Sequence, residues 1–176
     1  MSELPSGTVT FLFTDLEGST RLWEEHPDAM QPALARHDAI LRDAVVGHDG
    51  HVVKTTGDGM HAVFATARDA LGAAVAMQLG LAAESFGDTG PLRVRMGIHT
   101  CEAEYRDGDY YGSAVNMAAR IAARAAGDEV LVSDRLCADN RNARTIGLRF
   151  VSLGAIRLKG FNKPIELFRA EPRRKP

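Results

Sequence analysis

A Gly57-Asp58-Gly59 turn between two short apolar runs, His51–Thr55 and Met60–Phe64, constrains this chain more than any other feature. Asp-Gly turns between such runs are a strong local indication of a β-hairpin, because both residue types tolerate the backbone angles of tight hairpin turns. The sequence therefore predicts two antiparallel strands with a carboxylate, Asp58, at the tip that joins them.

A second strand prediction comes from Thr8–Thr14, a run of β-branched and aromatic residues that reads as a central strand ending at Asp15. The next residues include Gly18, Ser19 and Thr20, a turn that can open a helix through a hydroxyl N-cap. If this strand lies beside the hairpin, their ends bring Asp15 and Asp58 together.

The remaining elements alternate between helical and extended patterns. A helix that carries Pro27 in its first turn and runs to Gly47 follows a short turn around Leu22 and Trp23, and we expect Trp23 to be a core residue. Further along, we expect helix Asp69–Ala83, strand Leu92–His99, a polar loop Asp107–Gly112, helix Ser113–Ala126, strand Glu129–Ser133, a turn through Asp139–Asn142, and a closing hairpin of Phe150–Leu158 and Ile165–Ala170. This order predicts an α+β fold with a ferredoxin-like core, a mainly antiparallel sheet covered by helices.

Composition limits the functional classes that this chain can serve. Its 176 residues carry a formal net charge of −2, so no overall field favours nucleic acid or a membrane surface. Two cysteines, Cys101 and Cys137, are too few for a disulfide framework and lack metal-ligand spacing. The longest nearly apolar stretch, Ala70–Ala83, is too short to span a bilayer. We expect one soluble, cytoplasmic domain over residues 1–170, with a basic tail at 171–176.

Asp15 and Asp58 are the strongest candidates for chemistry. Backbone N–H groups at a helix start such as Gly18–Thr20 suit phosphate oxygens, and a neighbouring carboxylate can hold Mg²⁺ or Mn²⁺ against those phosphates. Asp58 offers a second oxygen ligand. The alternative for each residue taken separately is ordinary: an N-cap at Asp15 and a turn residue at Asp58. Their predicted convergence favours the metal site.

Five segments in register resemble the catalytic domain of the class III nucleotidyl cyclases. They are FLFTDLEGST, VVKTTGDGMHAVF, MGIHT, DYYGSAVNMAARI and IRLKG, and together they extend over about Thr8 to Ala170. The first resembles bacterial members whose metal motif reads FTDLEGST. Two positions depart from the common pattern: Ser19 stands where many members have Phe, and Cys101 replaces a glycine.

The resemblance implies roles for individual residues. It makes Asp15 and Asp58 metal ligands together with the carbonyl of Leu16, and it makes Gly18, Ser19 and Thr20 the backbone cradle of a triphosphate. Further along the chain, it makes Lys54 and Asp109 the readers of adenine, Asn116 and Arg120 the pair that stabilises the transition state, and Lys159 the contact of the terminal phosphates.

The chemistry of these residue types agrees with the implied roles. Asn116 and Arg120 are four residues apart on one predicted helix and share a face, so an amide can orient a ribose while a guanidinium stabilises phosphoryl charge. Asp109 can accept a hydrogen bond from the 6-amino group of adenine and Lys54 can donate to N1, whereas guanine reverses both polarities.

The implied activity is conversion of ATP to 3′,5′-cyclic AMP and pyrophosphate. The resemblance further implies two Mg²⁺ or Mn²⁺ ions per site and a homodimer whose two active sites are each shared between subunits, with no role for nucleic acid or membrane. Two alternatives remain open: a guanylyl cyclase, and a catalytically silent module that binds nucleotide or a partner.

Overall fold

The computed structural model describes residues 4–133 and 147–172, which form eight strands and four α-helices. The strands are β1 (Gly7–Leu16), β2 (His51–Thr56), β3 (Gly59–Phe64), β4 (Val94–Arg106), β5 (Asp109–Tyr111), β6 (Val130–Ser133), β7 (Leu148–Ile156) and β8 (Ile165–Pro172). The helices are α1 (Ser19–Glu25), α2 (Pro27–Gly47), α3 (Ala67–Ala83) and α4 (Ser113–Arg124). The predicted turn Asp139–Asn142, Cys137 and the basic residues Arg173–Lys175 lie outside the described residues.

The sheet confirms the predicted topology. Its strand order is β2-β3-β1-β4-β6-β8-β7, with β5 attached to β4, and every pairing is antiparallel except that of β4 with β6. Strand β3 separates β1 from β2, and β1 separates β3 from β4. This arrangement of split βαβ units is the ferredoxin-like core, to which β6, β8 and β7 add a further antiparallel extension.

Alternate residues of β1 enter different cores because side chains along a strand point to opposite faces. Leu12 and Leu16 belong to the large core beneath α2 and α3. Val9 and Phe11 belong to a smaller core on the opposite face, where Ala118 of α4 also packs. Both faces of the sheet are therefore covered by helices.

Helix α4 approaches the sheet most closely at Gly97 of β4. A Cβ atom built on Gly97 would lie 2.3 Å from the backbone nitrogen of Ala122. Since no real Cβ contact is that short, only glycine fits here without moving the helix. Gly97 therefore fixes the height of α4, and of its exposed residues, above the sheet.

The hydroxyl cap expected before α1 was wrong. Gly18 caps this helix in the left-handed conformation, with φ 68°, and no side chain accepts a capping hydrogen bond there. Leu22 and Trp23, expected in a turn, lie within α1. Trp23 is 39% exposed and is not a core residue, because α1 buries only Leu22.

The polar loop expected at Asp107–Gly112 was also wrong in part. Strand β4 continues past His99 to Arg106, and β5 folds back to pair with it. Asp107 and Gly108 both have positive φ, 52° and 82°, which is how the chain reverses in so short a turn. Because of this turn, Asp109 pairs with Arg106 in the sheet and does not lie in a loop.

Candidate active site

The ends of β1 and of the β2–β3 hairpin bring Asp15 and Asp58 together. The antiparallel register pairs Thr14 with Met60, so Asp15 reaches the end of the hairpin at Gly59, next to Asp58. Both aspartates line one cavity of about 230 Å³. The convergence predicted from the sequence is confirmed.

The two carboxylates of this cavity are oxygen donors of the kind that a divalent cation prefers, although no cluster of three or more acidic, histidine or cysteine side chains forms around them in the described residues. The Oδ2 atom of Asp58 is buried and, within the described chain, accepts no hydrogen bond. A buried carboxylate oxygen without a partner is costly, and a hard cation such as Mg²⁺ or Mn²⁺ would remove that cost. Leu16, the third predicted ligand, has its side chain 2% exposed in the large core, which fixes the backbone that would supply its carbonyl.

Arg95 belongs to the same site and was not among the predicted residues. It lies opposite Asp15 in the β1–β4 register, and its Nη2 donates to Asp15 Oδ2. Its Nε is buried without a partner among the described atoms. The alternation of Arg93 and Arg95 with apolar residues was the available indication, but the sequence did not show which strand lies beside β4.

The predicted phosphate cradle, Gly18 to Thr20, is held by the residue before it. The amide of Gly127 donates to Glu17 Oε1 at 3.2 Å, and the amide of Glu17 donates to the carbonyl of Arg93 at 2.9 Å. Ser19 and Thr20 then begin α1. Through its hydrogen bond with Gly127, Glu17 thus connects the turn between Asp15 and α1 to the loop that precedes β6.

Lys54 and Asp109, the predicted base readers, contact each other within one chain. Lys54 Nζ donates to Asp109 Oδ2 at 2.9 Å, and the amide of Tyr110 donates to Asp109 Oδ1 at 2.8 Å. The hydrogen bond from Lys54, followed by that from Tyr110, lowers the pKa of the Asp109 carboxyl. The two side chains are 51% and 35% exposed, so a ligand can reach both.

His61 lies directly opposite Lys54 on the neighbouring strand. Its ring stacks on Phe13 with centroids 4.1 Å apart and is 3% exposed. Neither ring nitrogen has a hydrogen-bond partner within residues 4–133 and 147–172. Burial, followed by the positive charge of Lys54, lowers the pKa of His61 to about 4, although Asp109 acts in the opposite direction. At neutral pH the residue opposite Lys54 in the sheet is therefore an uncharged imidazole.

A long cleft between α4 and the chain after β7 contains the remaining predicted residues. We call it the α4 cleft. Its near end, a cavity of about 460 Å³, is lined by Asn116, Arg120 and Lys159. Its far end, of about 440 Å³, shares Arg120 and Lys159 and adds Arg124 and Arg157.

The predicted residues thus fall into four groups: the aspartate cavity with the adjoining Leu16, the turn Gly18–Thr20, the Lys54–Asp109 pair and the α4 cleft. Ala119 and Ala123 of α4 border both the aspartate cavity and the α4 cleft. Asp15 and Asp58 line only the first of these, and Asn116 and Arg120 only the second. The two cavities therefore lie against adjoining faces of α4, which carries Asn116 and Arg120 but neither aspartate.

A family model for the adenylate and guanylate cyclase catalytic domain matches residues 1–169. The chain belongs to this family. All the site residues of this cyclase-family chain described above lie within the matched range.

Similar proteins come from bacteria and from trypanosomes. An uncharacterised protein of Mycobacterium tuberculosis is 35% identical over 170 residues, which cover 91% of this chain and 54% of that protein. A receptor-type adenylate cyclase of Trypanosoma brucei brucei is 31% identical over 210 residues, covering 93% of this chain and 17% of the cyclase. The cyclase-family chain spans about half the length of the mycobacterial relative.

Solved structures match the fold closely. A structure of Trypanosoma brucei adenylate cyclase in its monomeric state has a TM-score of 0.87 at 28% identity, covering 96% of this chain and 91% of that one. An adenylate/guanylate cyclase/hydrolase from Silicibacter pomeroyi has a TM-score of 0.77 at 31% identity, covering 94% and 96%. In the described part of this cyclase-family chain, no helix has the length and apolar character needed to cross a membrane.

Proposed function

We propose that this chain is an adenylyl cyclase that converts ATP to 3′,5′-cyclic AMP and pyrophosphate. The observation that carries the proposal is the contact between Lys54 Nζ and Asp109 Oδ2 at 2.9 Å, on a half-exposed surface of the sheet. One strong donor and one strong acceptor side by side match the N1 acceptor and the 6-amino donor of adenine. Guanine presents the opposite polarity at both positions.

Asp15, Asp58 and the Leu16 carbonyl would hold Mg²⁺ or Mn²⁺, two ions per site. When bound, the ions would make the ribose 3′-hydroxyl more acidic and neutralise charge on the phosphates. The buried Oδ2 of Asp58 supports this assignment, because it lacks any other partner among the described residues. Arg95, which contacts Asp15, adds a fixed positive charge beside the same phosphates.

Asn116 and Arg120 would act on the reacting groups. The ribose 3′-oxygen forms a bond to the α-phosphorus while its hydroxyl proton passes to solvent water. The bond from that phosphorus to pyrophosphate breaks, and its electron pair leaves with the pyrophosphate. Negative charge grows on the phosphoryl oxygens as this happens, and the Arg120 guanidinium can stabilise it. The Asn116 amide lies one turn earlier on the same face of α4, where it can orient the ribose.

The remaining residues would hold the triphosphate. Lys159 lies in the α4 cleft with Arg120, in a position to contact the terminal phosphates. Gly18, Ser19 and Thr20 would offer backbone amides, with Gly18 already in the left-handed conformation that the turn requires.

We further propose that the enzyme is a homodimer with two active sites, each built from both subunits. The separation of Asp15 and Asp58 from the side chains of the α4 cleft supports this arrangement. A two-fold partner would set its own α4 cleft against the aspartate cavity and complete the site.

Incubation of the full chain with labelled ATP or GTP and Mn²⁺ tests the activity, with products separated by chromatography. We expect cyclic AMP from ATP, little cyclic GMP, and no product from the Asp58→Ala variant. Preferential cyclic GMP formation would overturn the choice of base. No cyclic nucleotide from either substrate would overturn the enzymatic proposal and favour a silent module.

A mixture of two inactive variants tests the shared site. Asp58→Ala and Asn116→Ala homodimers each lack one group in both sites, whereas a mixed dimer has one complete site. With free exchange at equal amounts, half the dimers are mixed, so we expect roughly a quarter of wild-type activity to return. Activity no higher than the sum of the separate variants, with exchange verified by a tag pull-down, would refute intersubunit sites.

A further inference from the structure

We propose that the far end of the α4 cleft is a pyrophosphate subsite formed by Arg124 and Arg157. This inference rests on the proposed function, because pyrophosphate is the leaving group of that reaction. The proposed reaction uses only Asn116 and Arg120 at the reacting centre and Lys159 at the terminal phosphates from this cleft. Arg124 and Arg157 have no part in it, yet they line the far end of the same cleft.

The first argument is charge. Arg120, Arg124, Arg157 and Lys159 converge on a cavity of about 440 Å³ whose lining contains no acidic side chain. Five arginines of the described chain outside the cleft have acidic partners, among them Arg36 with Glu84 and Arg149 with Glu171. Arginines elsewhere that lack such a partner among the described residues, such as Arg42 and Arg68, do not share the lining of a described cavity with other cations.

Four cations held close together repel one another unless an anion binds between them. Arg124 and Lys159 have no acidic partner within residues 4–133 and 147–172. Arg157 uses one guanidinium nitrogen, Nη2, to donate to the carbonyl of Asn162 at 3.3 Å, which leaves its other N–H groups available. The cleft is therefore a concentrated and largely unused set of hydrogen-bond donors.

The second argument is the order of groups along α4. Asn116, Arg120 and Arg124 follow each other at intervals of four residues, so they form one row with about 6 Å of rise between neighbours. A ribose at Asn116 and an α-phosphate at Arg120 direct the rest of the polyphosphate toward Arg124. Arg157 and Lys159 face this row from the chain that follows β7.

The chemistry of the ligand follows from the donors. Guanidinium groups present paired N–H donors that match two oxygens of a phosphate, whereas a lysine offers a point charge. Two arginines beyond Lys159 suit an anion with two linked phosphates better than a single orthophosphate. The subsite would bind the terminal phosphates of the substrate and retain pyrophosphate after the bond to the α-phosphorus has broken.

Calorimetric titration of the full chain with inorganic pyrophosphate tests this proposal. The buffer contains no divalent cations, so that the aspartate cavity does not contribute. Wild type is compared with Arg124→Gln, Arg157→Gln, the double variant, and Arg149→Gln as the matched control at an arginine that pairs with Glu171 outside the cleft. Because Arg124 and Arg157 are exposed, neither substitution threatens the core.

We expect wild type to bind pyrophosphate more tightly than orthophosphate and the double variant to lose at least about 10-fold in pyrophosphate affinity. Arg149→Gln should match wild type. The subsite is refuted if wild type binds no pyrophosphate, if the double variant binds it as wild type does, or if the control loses as much.

A parallel cyclase assay separates this proposal from the proposed function. If the chain makes cyclic nucleotide but the double variant keeps its pyrophosphate affinity, the subsite fails and the cyclase stands. If the chain makes none but the double variant loses pyrophosphate affinity, the cyclase fails and the subsite stands. In an active enzyme, the double variant should also show pyrophosphate inhibition weakened by a similar factor.

Discussion

Acidification should destabilise this domain through His61, and the size of the effect can be worked out from its burial. An unfolded histidine with a pKa of 6.5 takes up a proton as the pH falls below that value. In the folded chain, burial against Phe13 and the charge of Lys54 lower the pKa of His61 to about 4. The folded-state pKa is depressed, so the unfolded state binds more protons between these values and stability falls as the pH falls from 6.5 to 4.

Once the pH is below both pKa values, the difference between them lowers the free energy of unfolding by about 3 kcal/mol. Between pH 7 and pH 5 the free energy of unfolding falls by about 2 kcal/mol through His61, because the rest of the loss occurs below pH 5. Other titrating groups add a background that is common to wild type and variants. The quantity to measure is therefore the change in the stability difference between wild type and a variant without this histidine.

Urea unfolding of wild type and His61→Leu at pH 7 and pH 5 provides the measurement. Leucine fills the buried site without a titratable group. Between pH 7 and pH 5 we therefore expect the free energy of unfolding of the variant to rise by about 2 kcal/mol relative to that of wild type. His26→Leu is the control for removing a histidine from the unfolded chain, since His26 lies at the start of α2 near the surface. Parallel loss of stability in wild type and His61→Leu would refute the reasoning.

Two further predictions concern the site. Lys54→Glu combined with Asp109→Gly should lower kcat/KM for ATP and raise kcat/KM for GTP, because polar groups mismatched to the base stay unpaired. The ratio of the two values should change by up to roughly 10⁴-fold. An unchanged ratio would show that neither residue reads the base. Gly127→Ala should raise the KM for ATP about 10-fold or more, because the added Cβ would meet Glu17 Oε2 at 2.3 Å and move Glu17 away from the Gly127 amide, which holds the turn of the proposed phosphate cradle. Glu17→Gln, which keeps the acceptor oxygen, is the matched control, and a wild-type KM in Gly127→Ala would contradict the role of Glu17.

The topology could be predicted because its determinants are local. The Asp-Gly turn specified the hairpin, and the β-branched run specified the central strand, so the meeting of Asp15 and Asp58 followed from their adjacency. Strand β5 could not be predicted, because its few residues pair only with a continuation of β4 past His99. The pattern of Leu92–His99 gave no reason to extend that strand.

Contacts between segments that lie far apart along the chain could not be predicted from the sequence. Arg95 meets Asp15 only because β4 is the neighbour of β1 on the side away from the hairpin, with Asp15 and Arg95 in register. The burial of His61 depends similarly on Phe13 of β1. No regular spacing in the sequence indicates the contact of Arg95 with Asp15 or that of His61 with Phe13. Residues known by motif were therefore predictable, whereas those that modulate them electrostatically were not.

If Lys54 and Asp109 read the base as proposed, the ion pair between them would let the enzyme select ATP at little cost. Without substrate, Lys54 and Asp109, the two proposed base readers, satisfy each other, and an exposed pair of this sort contributes only about 0–1 kcal/mol, so opening it is cheap. Adenine replaces the lost contact with one acceptor for Lys54 and one donor for Asp109. Guanine would face each of them with a group of the wrong polarity, and each unpaired group costs about 1–3 kcal/mol once water is excluded. Selectivity then arises mainly from rejection of the wrong base. The uncharged His61 beneath the pair is part of this balance, because a second positive charge there would compete with Lys54 for Asp109.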